Sequence, residues 1–450
     1  MPGSNLRRTG CDLMRAFVRS VLRVQNFKSL WRVLRQEGPR AVVQRSVAWV
    51  GRLWALYGPR RTIKPSPFAL DRFWSDMAKA GAFSTTTAPA LLTGKRLVAM
   101  IGDLNLLQCK KYRVEQPDEI WAEAGVEYRY AHYQDVPRCT DMLQRATHLM
   151  LYRLQRSDLA TMYLYEARRL RLPVLYDIDD PLFSVAAYAG YGNMDVLEPA
   201  LKAHFLAEAP LYLDVMNACD VTSFSTPGLR DHAASLSPRP GFVRRNFADR
   251  ASLDSGRRAM LAAADEKAAR GGLLLALASG SLGHEADFNV VSPQITAFLA
   301  GSPDRRLLIL GHFRTDLLPK AMRGQVETRP FTGYDEYLTH LARADAALMP
   351  LADDLFNRCK SGVRVIDAAS VGVPSIVGTV GDMATLLTPG ETGFVARTGP
   401  HWTTALEVLA REPGMAAQMG RRARADLETG WSARLTAPVV ESGLIDWVRS

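Results

Sequence analysis

Three charged side chains lie on a segment, residues 356–377, that otherwise has the pattern of a buried helix leading into a buried strand. Lys360, Arg364 and Asp367 are spaced i, i+4 and i+7, so a helix would present them on one face. Two cations four residues apart repel each other unless an anion lies between them, and the free N–H groups of a helix start near Ser361 favour the same anion. The pattern predicts a phosphate site, with a solvated Arg364–Asp367 surface pair as the alternative.

A second group of charges follows the predicted strand in LYDIDDPLF, where Asp177, Asp179 and Asp180 come in quick succession. Three acids directly after a buried strand indicate either metal binding or acid–base chemistry. One of them could instead cap the next helix. The D-x-D spacing of the first two is too common to decide between these interpretations.

The loop LASGSLGHEADF ends another predicted strand in small residues and then supplies His284 and Asp287. Gly280 and Ser281 permit a ligand to approach the backbone closely. A tight turn with Asp287 as a helix cap is the structural alternative, and it leaves His284 unexplained. The sequence contains no P-loop, no GxGxxG and no HExxH, so NAD- or ATP-dependent chemistry of the common kinds has no support.

The elements that must position these residues alternate between strand and helix patterns, from KRLVAMIGD onward and again from GLLLALASG onward. Such alternation predicts an α/β fold of two consecutive doubly wound, Rossmann-like domains with parallel sheets. Ligands bind at the carboxyl ends of the strands in such sheets, where the charged residues above are found. The expected divisions are a helical extension (1–93), two sheet domains (94–245 and 246–430) and a terminal helix (431–450).

The composition is that of an ordinary soluble globular protein, since 47% of the 450 residues are hydrophobic and 23% are charged. Five scattered cysteines indicate a reducing compartment without a disulfide framework. The sequence shows no signal peptide and no apolar stretch long enough to span a bilayer, which favours a cytoplasmic protein, free or on a membrane surface.

The net charge of +10 resides at the N-terminus, because residues 1–64 carry 14 Lys and Arg against 2 acids, a net of +12. The remaining chain therefore has 42 basic and 44 acidic residues, a net of −2, and no nucleic-acid footprint is expected. Residues 11–57 have a basic amphipathic helical pattern with Trp and Phe, which suits an anionic membrane surface. Packing against the protein's own body is the equal alternative.

Several separated motifs together resemble the group 1 glycosyltransferases of the GT-B fold, over roughly residues 96–430. In the second half these are N-x-x-K-S from Asn357, RVIDAASVGVPSIV, GETGFVA, HWTTALEVL and MGRRAR. DIDDPLF, GSLGHEADF, the YR of Tyr112 and Arg113, and STPGL are most similar to the bacterial branch that builds surface polysaccharides.

The resemblance implies a nucleotide-sugar donor bound by the C-terminal domain and a glycan or lipid-linked acceptor entering from the N-terminal domain. Asp367 would hold the donor ribose, Lys360 and Arg364 the diphosphate, and Asp179 or Asp180 would act as a base or orient the acceptor. No metal and no cofactor beyond the nucleotide-sugar are expected. The predicted catalytic residues are Asp179, Asp180 and His284; the donor-binding residues are Gly280, Ser281, Asp287, Asn357, Lys360, Ser361, Arg364 and Asp367; and the acceptor-side residues are Tyr112, Arg113 and Asp177.

Two departures from the family pattern bear on activity. The wider family has a Glu eight residues before the acid at Asp367, and this chain has Cys359 at that position. This chain also lacks the Arg and Lys that the family has after the first strand of the donor domain. A catalytically degenerate scaffold that binds nucleotide or acceptor is therefore an alternative to a transferase, and a nucleotide-sugar epimerase is a third hypothesis.

Overall fold

The computed structural model describes residues 94–450 except 282, 413, 436 and 437, together with residues 39, 42, 43, 46 and 47. The chain divides into two compact units, Met1–Ser75 and Asp76–Ser450, and both sheets belong to the second unit. The expected amphipathic helices of residues 11–57, and the extension 1–93 that contains them, lie almost wholly outside the described residues.

The first sheet consists of six parallel strands in the order β2-β1-β3-β4-β5-β6. Its strands are β1 (Leu97–Gly102), β2 (Glu127–His132), β3 (His148–Tyr152), β4 (Val174–Ile178), β5 (Val221–Phe224) and β6 (Gly241–Val243). The accompanying helices are α1 (Leu107–Lys110), α2 (Pro117–Glu123), α3 (Val136–Arg145), α4 (Asp158–Arg169), α5 (Val185–Ala189), α6 (Pro199–Ala218) and α7 (Pro227–Ala234). A π-helical turn (Lys111–Glu115) follows α1, and a 3-10 turn (Gly192–Val196) follows α5.

The second sheet also has six parallel strands, in the order β12-β11-β10-β7-β8-β9. Its strands are β7 (Leu274–Ser279), β8 (Arg306–Gly311), β9 (Val326–Arg329), β10 (Ala346–Met349), β11 (Ser375–Val377) and β12 (Gly393–Val395). The helices are α8 (Arg250–Ala269), α9 (Glu285–Asn289), α10 (Ser292–Ala300), α11 (Tyr334–Ala342), α12 (Leu355–Arg358), α13 (Val363–Ser370), α14 (Gly399–Arg411), α15 (Met415–Gly430) and α16 (Ser442–Arg449). Short 3-10 turns span Thr315–Leu317, Lys320–Gln325 and Met383–Leu386.

The sequence accounts for these elements locally. All six residues of β1, LVAMIG, are buried, as expected for a parallel strand covered by helices on both faces. Helices α3, α4 and α7 each begin after a side chain that accepts a hydrogen bond from a backbone N–H of the first turn, namely Asp135, Ser157 and Thr226. The prediction of two doubly wound parallel sheets is confirmed.

The last helix returns to the first sheet. Leu444, Ile445 and Val448 of α16 pack in one core with Val98 and Met100 of β1. Because α16 follows the second sheet in the chain, this packing ties the end of the chain back to the first sheet. No helix among the described residues is both long and apolar enough to cross a bilayer.

The strand order of each sheet shows where a ligand is expected to bind. Each sheet has a point where successive connections run in opposite directions, between β1 and β3 in the first and between β7 and β10 in the second. We call the loops after β1, β3 and β4, together with the 3-10 turn Gly192–Val196, the first edge. The second edge means the loops after β7 and β10, up to the start of α13.

Candidate functional site

A buried carboxylate organises the second edge. Asp287 in α9 accepts hydrogen bonds on Oδ1 from Asn357 Nδ2 at 2.9 Å and from the backbone N–H of Ala352 at 3.0 Å. Its Oδ2 lies 2.8 Å from His284 Nδ1 and accepts from Asn193 Nδ2 of the first edge at 3.0 Å. Residues from both edges therefore meet on one carboxylate.

The chain approaches itself closely at this point. Gly283 has a φ of 100°, and a Cβ there would lie 2.4 Å from the backbone oxygen of Asn193. Only glycine fits both the left-handed conformation and the space. The absence of a side chain at Gly283 thus allows the backbone of Asn193, in the first edge, to pack closely against the loop after β7.

Lys360 is the cation at this junction. Its Nζ donates to the hydroxyl of Tyr191 at 2.8 Å and lies 4.0 Å from Asp287 Oδ2. Burial lowers the pKa of Lys360 to about 8, against the opposing effect of Asp287. Burial likewise lowers the pKa of His284 to about 4, so its imidazole is neutral at pH 7, although the hydrogen bond to Asp287 acts in the other direction.

The sequence prediction of one helical face is wrong for Lys360. Helix α13 begins at Val363, so Lys360 lies in the turn between α12 and α13, and only Arg364 and Asp367 are helical. The helix start itself is near the predicted position, with Gly362 as the N-cap and no side chain capping the first turn. Its unsatisfied N–H groups give this end of α13 a partial positive charge.

The predicted donor-binding residues around that helix start lie close together. Ser361 Oγ accepts from Asn246 Nδ2 at 3.0 Å, and Arg364 Nη1 donates to the backbone oxygen of Ala278 at the end of β7 at 3.4 Å. Ser281 Oγ lies 3.3 Å from His284 Nε2. Gly280 and Ser281 are exposed at this edge.

Asp367 is buried and surrounded by tyrosines. Its Oδ1 accepts from Tyr334 at 2.8 Å and from Tyr112 of the first half, and Tyr337 also bonds to it. Burial raises the pKa of Asp367 to about 6, although these hydroxyl donors oppose the shift. The alternative of a solvated Arg364–Asp367 surface pair is therefore excluded.

The two acids of the first edge have different partners. Asp179 Oδ1 lies 3.3 Å from Arg153 Nη1 and 3.4 Å from the hydroxyl of Tyr152. Among the described residues, nothing donates a hydrogen bond to the carboxylate of Asp180. Burial and the neighbouring Asp179 raise the pKa of Asp180 to about 6, while the charges of Arg153 and Lys360 lower it. Asp180 thus lies within the electrostatic field of the cation of the second edge.

Asp177 and Arg113 form a buried ion cluster with Arg244. Asp177 accepts from Arg113 Nε at 3.0 Å and lies 2.9 Å from Arg244 Nη2, and Ser223 Oγ also donates to it. The side chains of all three charged residues are at most 1% exposed. Burial alone would raise the pKa of Asp177, but the two guanidinium groups outweigh it and hold that pKa below its usual value.

The predicted acceptor-side residues therefore lie inside the molecule: Arg113 and Asp177 contact each other, and Tyr112 contacts Asp367. Their role toward an acceptor stays a prediction. Arg113 Nη1 also donates to Asn246 Oδ1 at 3.2 Å, and Asn246 in turn donates to Ser361. A continuous set of hydrogen bonds thus joins the ion cluster to the second edge.

Four residues of the site were not predicted from the sequence: Arg153, Tyr191, Asn193 and Tyr334. Arg153 directly follows the apolar strand β3, and this position at a strand end was the signal in the sequence that could have identified it. Its backbone has a left-handed φ of 51°. Tyr191 and Asn193 come from the 3-10 region, where no spacing pattern points to the second edge.

The arrangement as a whole combines an ammonium group, an uncapped helix start, a neutral imidazole and two acids, of which Asp180 has a raised pKa. Fixed positive charge of this kind stabilises an anionic leaving group, and an unpartnered carboxylate can accept a proton. Among the residues that the structure describes, no group of three or more His, Cys, Asp and Glu side chains is placed to hold a metal ion.

Comparisons with known proteins agree with this architecture. HepE from Anabaena, crystallised with UDP, matches with a TM-score of 0.50 at 10% identity, over 75% of this chain and 96% of that one. Sucrose-phosphate synthase from Thermosynechococcus elongatus has a lower TM-score of 0.46, at 14% identity, over 75% of this chain and 95% of that one. WaaG, a glycosyltransferase involved in lipopolysaccharide biosynthesis, has the same TM-score at 12% identity, over 78% of this chain and 99% of that one.

A sequence comparison with curated proteins gives no match. Residues 293–437, within the second half, match the model of a family described as glycosyl transferase-like. The two sheets have the GT-B glycosyltransferase fold, and the second of them lies partly within a segment that matches a glycosyl transferase-like family.

Proposed function

We propose that this protein transfers a hexosyl or related sugar from a nucleotide diphosphate donor to a glycan or lipid-linked acceptor in the synthesis of cell-surface polysaccharide. The observation that carries the proposal is the position of Lys360. This partly buried ammonium lies at the switch point of the second sheet, next to the uncapped start of α13, and acts electrostatically on Asp180 of the first edge.

In the proposed reaction the bond between the sugar carbon and the diphosphate oxygen breaks, and a bond from the acceptor oxygen to that carbon forms. Lys360, Arg364 and the α13 dipole neutralise the leaving diphosphate, which is the role that a metal ion has in other transferases. The neutral His284 is held by Asp287 with its Nε2 toward Ser281, where it faces the transferred sugar.

Asp180 accepts the proton of the acceptor hydroxyl. Arg153 and Tyr152 contact Asp179, whereas Asp180 is the acid whose pKa is raised by burial and by the neighbouring carboxylate. Arg153 is thus a positioning residue. Its left-handed backbone, costly for a residue other than glycine, places the guanidinium over Asp179.

We also propose that the basic residues 11–57 attach the protein to an anionic membrane surface, on the basis of their charge. Residues 1–64 carry a net of +12, whereas the rest of the chain carries −2. A basic segment with aromatic residues is attracted to the anionic inner face of a cell membrane, where a lipid-linked acceptor would be found.

The test is a calorimetric titration of the full chain with UDP, GDP, dTDP and CMP, followed by transfer assays with the sugars of the nucleotide that binds. We expect Asp180→Asn to bind the nucleotide normally and to lose at least about 100-fold in transfer rate. Asp179→Asn, which also removes one carboxylate charge, should lose less. Equal rates in the wild type and Asp180→Asn would contradict the proposed base.

A further inference from the structure

Two tyrosine hydroxyls of the first half bond to charged groups of the second half. Tyr112, in the π-helical turn, donates to Asp367. Tyr191, just before the 3-10 turn, accepts from Lys360 Nζ at 2.8 Å. The proposed function assigns Lys360 to the diphosphate of the donor, and the family resemblance implies that Asp367 holds the donor ribose.

Tyr112 is held at Asp367 by several contacts. Its hydroxyl lies 3.4 Å from that of Tyr334, which shares Oδ1 of Asp367. The preceding Lys111 lies 4.3 Å from the centre of the Tyr334 ring and 3.4 Å from Asp249 Oδ1. A hydroxyl that donates to a carboxylate makes the same hydrogen bond as a ribose hydroxyl would.

Tyr191 is held at Lys360 in a similar way. Its ring stacks on Phe356 at a centroid distance of 4.1 Å, and its hydroxyl also accepts from Asn193 Nδ2 at 2.7 Å. An oxygen that accepts from the ammonium group of Lys360 takes the place that a phosphate oxygen would occupy. The Lys360 side chain is only 15% exposed as a result of these contacts and its other neighbours.

We propose that Tyr112 and Tyr191 determine the affinity for the donor by occupying Asp367 and Lys360 until a nucleotide displaces their hydroxyls. The inference rests on the proposed function and adds to it that donor binding has a built-in competitor at each end of the nucleotide diphosphate. A protein whose binding-competent state is only partly populated binds its ligand more weakly by that fraction.

Removal of either hydroxyl leaves the donor groups with other partners. Asp367 keeps Tyr334 and Tyr337, and Lys360 keeps Asp287. Tyr112→Phe and Tyr191→Phe therefore remove the competitor without creating an unpaired buried charge. Each variant should bind the nucleotide about three- to ten-fold more tightly, the gain expected when a ligand no longer has to break one hydrogen bond.

The experiment is a calorimetric titration of the full chain with UDP, repeated with GDP and dTDP, for the wild type, both single variants and the double variant. Tyr163→Phe is the matched control, because its buried hydroxyl donates to the backbone oxygen of Tyr133 and not to Asp367 or Lys360. Thermal unfolding without nucleotide checks that each variant is folded. The double variant should show the largest gain, and Tyr163→Phe none.

The outcomes separate this inference from the proposed function. If the wild type binds a nucleotide and the Phe variants bind it equally or more weakly, the competition is refuted and the proposed function stands. If only the double variant binds a nucleotide, the proposed function and the competition are both supported, and the two tyrosine hydroxyls block the donor groups in the wild type. If no variant binds any of the three nucleotides, both fail.

Discussion

Each half of the molecule buries an aspartate at or near the carboxyl edge of its sheet, and the two differ in what surrounds them. Asp177 is neutralised by two guanidinium groups that are as buried as the carboxylate itself. Asp287 is bonded instead by two asparagine amides, a backbone N–H and a neutral histidine. Its nearest cation, Lys360, stays 4.0 Å away.

The difference indicates different roles. A carboxylate between two arginines has its charge cancelled and its lone pairs used, so it joins the segments around residues 113, 177 and 244. Asp287 makes its hydrogen bonds to uncharged groups, so the ammonium group of Lys360, 4.0 Å away, does not donate to it directly and keeps N–H donors for an anion. Burial and a shifted pKa are common to Asp177 and Asp287, and the identity of their partners distinguishes the structural cluster from the proposed binding site.

The largest effect should follow from breaking the Asp177 cluster. Asp177→Asn leaves Arg113 and Arg244 buried without a counter-charge, which should lower the free energy of unfolding by about 3–5 kcal/mol. Urea denaturation followed by circular dichroism measures this loss. Glu166→Gln is the control, since Glu166 is also buried but pairs with Arg169, whose side chain is 46% exposed, and it should cost much less. Equal losses in the two variants would contradict the comparison.

A smaller and different effect is expected at Lys360. Lys360→Met should weaken nucleotide binding about 10- to 150-fold, the range for a hydrogen bond to a charged group, and change thermal stability little. Two controls accompany the titration. Lys267→Met removes another partly buried lysine, and Arg358→Ala removes an exposed cation two residues away. Unchanged affinity in Lys360→Met, or an equal loss in either control, would remove Lys360 from the donor site.

The smallest effect concerns the pH dependence of stability at His284. Its pKa is lowered to about 4 in the folded protein, against an ordinary 6.5, so folding favours the neutral ring. The resulting stability is complete above pH 6.5 and is lost as the pH falls from 6.5 toward 4, by at most about 3 kcal/mol.

Asp180 and Asp367, whose pKa values are raised to about 6, act in the opposite direction over the same range. The difference between the wild type and His284→Gln therefore isolates the histidine. Denaturation at pH 7 and pH 5 should show a larger stability loss in the wild type than in the variant. Parallel losses would mean that the imidazole titrates normally and is not buried as described.

The fold was predictable from the sequence because its signals are local. Apolar runs such as LVAMIG, followed by helix patterns with capping side chains, specify parallel strands without knowledge of partners. The same local signals identified the loops after those strands, where we expect a ligand to bind. His284, Asp287, Asn357 and Lys360, which were chosen from such loops, do lie together around one carboxylate.

The choice of partners was not predictable. A period of 3.6 residues placed Lys360 on a helix, but the helix starts three residues later, at Val363, after Gly362 has served as its N-cap. Nor does any spacing show that Tyr112 reaches Asp367, because these residues are 255 positions apart. Contacts of this range depend on how the two sheets pack.

The sequence by itself therefore determined the two sheets, their carboxyl edges and the charged residues that those edges carry. Tertiary structure alone decided which of these charges are cancelled and which remain available. The physical reason is that strand and helix patterns arise from neighbouring residues, whereas burial and ion pairing depend on side chains that meet only after both halves have folded together.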